Sequence, residues 1–248
     1  MKNSPLGSHS VGLGGNISLS LNEFISNNNH NIVASPTTLA GDVSTSGNGS
    51  LMRNAAIPIF YPDLESAMYY ADQQSRSTHQ GTEAAECCQL LTFIIHQFLH
   101  NPHLPKPQIL DNLQNFQVLH KTPQGYTPKP PQKTLQQLLS SSGDWNWKSP
   151  NYEYPKERTK KKPGYVGSYS LDCLAMALHC VYHNSSFKSS LLASANLHGD
   201  SDSVSAVTGQ LAGAIYGFSS IPINWLLTLW QWDQQLLTLL RPLKLYEA

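Results

Sequence analysis

His198-Gly199-Asp200-Ser201-Asp202-Ser203 runs directly into Val204 and a stretch ending at Tyr216-Gly217. Two carboxylates two residues apart in an extended loop can point the same way, and the hydroxyls of Ser201 and Ser203 add neutral oxygens beside them. Such an all-oxygen set suits Mg²⁺, Ca²⁺ or Mn²⁺ rather than zinc or copper. The segment that follows reads as a helix, and a helix N-terminus favours acidic side chains without any metal. Capping by Asp202 or Ser203 therefore accounts for the same residues. The two readings stand side by side.

Gly47-Asn48-Gly49 is the second candidate. Glycine backbone can approach a pyrophosphate closely and offer its N–H groups, although Asn-Gly is also a common tight-turn pair. Nearby, Met52 reads as core packing and Arg53 as a structural ion-pair donor. His79, after Thr78, sits where a helix begins and could serve as its cap.

These residues need helices to hold them. From Thr82 to Leu99, Ala85, Cys88, Leu91, Ile95 and Phe98 recur at three- and four-residue steps with further apolar residues between, which predicts a central buried helix. Ser170 to Tyr182 repeats the pattern with Leu171, Leu174, Leu178 and Val181, and Asp172 lies in its first turn. A third helix is expected from Trp225 to Leu240, bracketed by Pro222 and Pro242. In the helix after Ser203, Gly209, Gly213 and Gly217 form one stripe that predicts close approach of another helix. No segment alternates strongly enough to predict a strand. The expectation is an all-α bundle.

Two regions interrupt the helical pattern. Residues 27–49 are rich in Asn, Ser, Thr and Gly and read as a loop. Residues 101–163 hold most of the prolines, with one amphipathic piece at Leu135–Leu139, and read as an insertion between core helices of one domain spanning 1–248.

Composition narrows the function classes. With 16 basic and 16 acidic residues the chain has no net field to favour nucleic acid or a membrane surface. The basic run Arg158-Thr159-Lys160-Lys161-Lys162 reads as a solvated loop. Cys87, Cys88, Cys173 and Cys180 fall in apolar helical patterns without CxxC spacing and read as buried, reduced thiols. The N-terminal residues show no secretory pattern, and the longest apolar stretch carries Gln231, Asp233, Gln234 and Gln235. A cytoplasmic monomer is the expectation.

Taken together the chain resembles the ADP-ribosylglycohydrolase family. The resemblance rests on the acidic Ser/Asp loop feeding a Gly/Ala-rich helix, on Gly47-Asn48-Gly49-Ser50-Leu51-Met52-Arg53, on Ser75-Arg76-Ser77-Thr78-His79, and on Gly164-Tyr165-Val166-Gly167-Ser168-Tyr169 before a helix. These four segments stand in family order. The resemblance implies an orthogonal multi-helix fold and a hydrolase that removes ADP-ribose from a modified protein or small molecule, with Mg²⁺ or Mn²⁺. It implies Asp200, Asp202 and Ser203 as metal residues, and Gly47, Asn48, Gly49, His79, Gly167 and Ser168 as the ADP-ribose-binding set. One departure stands out. The family's opening acidic motif, and with it the usual catalytic acid, is not found near Gly12-Leu13-Gly14-Gly15-Asn16-Ile17-Ser18, and Asp42, Asp63 and Asp72 form no pair. A chain cut short at its N-terminus and an inactive remnant both fit, so the expectations are an impaired hydrolase or a catalytically inactive ADP-ribose-binding or scaffold protein.

Overall fold

The computed structural model describes residues 14–26 and 46–233. Asp42, most of the 27–49 loop, residues 12–13 and the stretch from Gln234 to Pro242 lie outside the described residues. Within them the helices are α1 (Gly15–Ser26), α2 (Gly49–Met52), α3 (Ala56–Phe60), α4 (Leu64–Arg76), α5 (Thr82–His100), α6 (Lys106–Leu110), α7 (Lys133–Leu139), α8 (Lys156–Lys161), α9 (Ser170–Tyr182), α10 (Phe187–Ala195), α11 (Ser201–Tyr216) and α12 (Ile223–Asp233).

The fold is helical, as the periodicity predicts, with α5 and α9 at its centre. Ala84 through Thr92 is buried without a break along α5, the polar Glu86, Gln89 and Thr92 included, as a central helix surrounded by others requires. Leu171, Leu174, Ala175 and Leu178 of α9, and Val204, Val207 and Leu211 of α11, close the core around it. The four cysteines are buried and unbridged, as expected. No helix among the described residues is long and apolar enough to cross a membrane.

Several local expectations are corrected. A two-stranded antiparallel hairpin, β1 (Val118–Thr122) and β2 (Gly125–Lys129), pairs Val118 with Lys129 and Thr122 with Gly125. Its alternation is too short and too polar to register in the sequence, and Pro128 suits only a strand with a free edge. Among the described residues the glycine stripe of α11 is not a packing seam: an added Cβ would meet Leu191 at Gly209 and no described neighbour at Gly213, and Gly217 adopts φ +77° to end the helix. The basic run forms α8 rather than a loop, and its Arg158 donates through Nε (2.7 Å) and Nη2 (2.8 Å) to Asp172, which is buried on α9 and also accepts from Trp145 Nε1. Within residues 101–163, Leu110, Leu113, Leu135, Leu138 and Trp147 are fully buried, so this proline-rich stretch fills part of the common core.

Candidate functional site

Three loops distant in sequence meet at the N-terminal end of α11. Gly47 bridges Tyr169 in antiparallel fashion, the Asn48 N–H donates to Ser168 O (2.9 Å), and the Asp200 N–H donates to Val166 O (2.9 Å). Gly199 permits the last bond by its backbone: at φ +79° an added Cβ would stand 2.4 Å from Val166 O, so no other residue fits. Ser170 donates its hydroxyl to Ser46 O and Gly47 O, which ties the start of α9 to the same junction.

Asn48 occupies the centre. Its Nδ2 donates to Gly167 O (3.0 Å) and to Asp200 Oδ2 (2.7 Å). Asp200 is the N-cap residue of α11, yet its carboxylate makes no capping bond and accepts instead from Asn48 and from Ser203 Oγ (2.9 Å). The cap expected of Asp202 or Ser203 therefore lies two or three residues earlier, at Asp200: Asp202 sits inside the first turn, exposed, where the helix dipole accommodates its charge.

A cavity of about 570 Å³ opens above this junction. Gly47, Asn48, Gly49, His79, Ser168, Asp200, Asp202 and Ser203 all line it, and Gly167 lies just behind as the acceptor for Asn48. Gly14, Gly15, Asn16 and Ile17 of the α1 end, Met52 and Tyr165 complete the wall. Met52 is thus 38% exposed at the cavity rather than packed in the core. Tyr165, Asn16 and Ile17 lie in segments noted in the sequence but carry no spacing signal that marks them as site residues.

His79 is not a helix cap. It follows a turn in which Ser75 O accepts from both the Thr78 and His79 N–H groups, and Gly81 opens α5 two residues later. Its ring is buried at 3% exposure against Gly47 and Gly49, where an added Cβ would lie 3.5 Å from Nε2 and 3.2 Å from Cε1 respectively. Neither glycine has a positive φ, so space for the imidazole, rather than turn geometry, is what they provide. Burial, with help from the nearby Arg53 charge, lowers the His79 pKa to about 4, so the ring is neutral at pH 7.

Below the cavity a buried polar lattice fixes α2 against α4 and α5. Gln74 Nε2 donates to Ser50 O and Asn54 Oδ1, Ser75 Oγ meets Ser50 Oγ at 2.9 Å, and Asn54 Nδ2 donates to Thr92 Oγ1. From the other side Gln210 of α11 donates to Leu51 O and Met52 O, satisfying carbonyls at the end of α2. Arg53 pairs with no carboxylate among the described residues; its donors reach Gln74 and Thr78. No group of three or more His, Cys, Asp or Glu side chains suited to a metal occurs among the described residues.

The family profile for ADP-ribosylglycohydrolase matches residues 4–247. An ADP-ribosylarginine hydrolase of Pseudomonas putida is 33% identical over 185 residues, covering 74% of this chain and 42% of that protein. An ADP-ribosyl-[dinitrogen reductase] glycohydrolase of Rhodospirillum rubrum is 40% identical over 63 residues, 25% of this chain and 21% of its own. A solved ADP-ribosylglycohydrolase-related protein complex superposes with a TM-score of 0.67 at 26% identity, covering 94% of this chain and 69% of that one. The chain thus spans less than half the length of the curated relatives it matches. On the family profile and on the shared fold, the chain belongs to the ADP-ribosylglycohydrolase family.

Proposed function

We propose that the cavity binds ADP-ribose carried by a modified protein, with ADP-ribosylated arginine as the substrate class suggested by the relatives, and that the described residues furnish recognition more fully than hydrolysis. The observation that carries this reading is the convergence of Asn48, His79, Ser168, Asp200 and Asp202 on one 570 Å³ cavity. The cavity is large enough for part of a dinucleotide-sized ligand. Neutral His79, the hydroxyl of Ser168 and the backbone around Gly47 and Gly49 present uncharged groups of the kind that orient ribose and phosphate oxygens.

The acidic edge has a different chemistry. Asp200, Asp202 and the Ser203 hydroxyl are hard oxygen donors and would hold a Mg²⁺ ion as a partial shell, with water completing it. Such an ion would supply Lewis-acid stabilisation of charge on a bound ribose oxygen. Asp200 is restrained by Asn48 and Ser203, so its orientation is set before any ligand arrives. Asp202 is exposed and makes no side-chain hydrogen bond among the described residues. With two carboxylates at the edge and no third beside them among the described residues, this chain is read as an impaired hydrolase. An inactive ADP-ribose-binding protein is the second reading, favoured by that same shortage of acids.

Calorimetry with ADP-ribose on the wild type, Asn48→Ala and Asp202→Ala, with and without Mg²⁺, tests the proposal. Binding by the wild type is expected, with the greater loss in Asn48→Ala. A wild type that binds no ADP-ribose overturns it. Release of ADP-ribose from an ADP-ribosylated arginine peptide is expected to be slow, and robust Mg²⁺-dependent turnover would refute the impairment.

A further inference from the structure

Four side chains make a continuous line from α4 to the cavity. Gln74 holds Arg53, accepting from Nε at Oε1 (2.9 Å) and from Nη2 at its carbonyl (2.8 Å). Arg53 Nη2 also reaches Thr78 Oγ1 (2.6 Å), and Thr78 Oγ1 stands 2.7 Å from His79 Nδ1. The direction of each bond follows from the groups themselves. A guanidinium has donors only, so Thr78 Oγ1 accepts from Arg53. That leaves the hydroxyl hydrogen of Thr78 to be placed, and among the described residues the acceptor within reach is His79 Nδ1. Were Nδ1 to carry a proton instead, the threonine oxygen would accept twice and its own hydrogen would have no protein partner among the described residues.

We propose that Thr78, oriented by Arg53, is a positioning residue that fixes His79 as the Nε2–H tautomer, so that the cavity meets a neutral hydrogen-bond donor at that edge of the ring. The low pKa of His79 agrees with this, because an imidazolium would require Nδ1–H to point at the same hydroxyl, with the Arg53 cation close behind. The arrangement selects a ligand atom that accepts, such as a phosphate, carbonyl or ribose oxygen, over one that donates. The tautomer follows from the protein's own geometry, whereas its use toward ADP-ribose rests on the function proposed above.

Long-range ¹H–¹⁵N correlation at pH 7 on the full ¹⁵N-labelled chain reads the tautomer directly, with the His79 signals assigned by their loss in His79→Asn. The wild type is expected to show one neutral form, protonated at Nε2. Thr78→Val keeps the shape and removes the hydroxyl, and is expected to give a mixture of tautomers, while Thr78→Ser restores the single form. Circular dichroism confirms that each variant is folded. Calorimetry on the same samples is expected to show ADP-ribose affinity reduced roughly tenfold in Thr78→Val, the worth of about one good hydrogen bond, and recovered in Thr78→Ser. An Nδ1–H or doubly protonated ring in the wild type, or a Thr78→Val spectrum unchanged from it, overturns the proposal. If the tautomer shifts as expected but no variant binds ADP-ribose, the positioning role stands and the assigned ligand fails.

Discussion

Asn48 Nδ2 lies 2.7 Å from Asp200 Oδ2 and 3.0 Å from Gly167 O, so a single amide group joins loops that are more than one hundred residues away from it in sequence. Both of its donor hydrogens are used inside the protein. An amide in this position aligns the acidic loop before any ligand is present, and it does so without adding charge.

Asn48→Ala removes both bonds and leaves a carbonyl and a carboxylate oxygen without their donor. A loss of about 1–3 kcal/mol is expected in chemical denaturation. Asn48→Asp is expected to be worse, since it sets a second carboxylate against Asp200. Equal stability of the two variants would show that the amide merely fills space.

The glycines around the site are expected to differ in kind. Gly199→Ala forces a side chain to within 2.4 Å of Val166 O at φ +79°, and a cost of roughly 3 kcal/mol or more in denaturant midpoint and slope is expected. Gly49→Ala meets His79 Cε1 at 3.2 Å and Ile17 Cδ1 at 3.3 Å, which side-chain movement can relieve. About 1 kcal/mol is expected there, together with a clear loss of ADP-ribose binding as the imidazole is displaced.

The low pKa of His79 has a consequence for stability against pH. The unfolded chain binds a proton near pH 6.5 and the folded chain near pH 4, so the unfolded state holds more protons between those values. The contribution is present above pH 6.5 and is lost as pH falls toward 4, amounting to roughly 3 kcal/mol. Denaturation of wild type and His79→Asn across this window is expected to show the difference between them shrink on acidification. A constant difference would contradict a buried neutral ring.

Lys106 offers a test of how firmly the proline-rich stretch belongs to the core. Its Nζ donates to Val181 O (2.6 Å), Tyr182 O (3.0 Å) and Asn184 O (2.6 Å), closing the carbonyl end of α9. Lys106→Met retains the aliphatic stem and loses the donors. A fall of about 1–2 kcal/mol is expected, seen as a lower Tm. No change would mean that solvent serves those carbonyls equally well.

Long helices were legible because apolar residues recur along them at three- and four-residue steps: Thr82 to Leu99 becomes α5, one residue longer, and Ser170 to Tyr182 becomes α9 unchanged. The hairpin was not, since Val118–Thr122 is short and only Val118 of it is buried, and a strand with one buried end leaves little alternation to read. The residues named for the site do gather around one cavity, but the reasons for them lie in space rather than in spacing. Gly47 and Gly49 are small because His79 rests on them, and Met52 turns outward because α2 ends there. Arg158 looked like part of a solvated basic run, and nothing local reveals that Asp172 lies buried beside it. Pattern reading sees neighbours along the chain, and these partners are neighbours only after folding.

The bond from the Asp200 N–H to Val166 O, with Gly199 wedged against that same carbonyl, makes the acidic loop and the Tyr165 turn one mechanical piece. A side chain pressing Tyr165 aside would pull on the carboxylates through a single backbone rung.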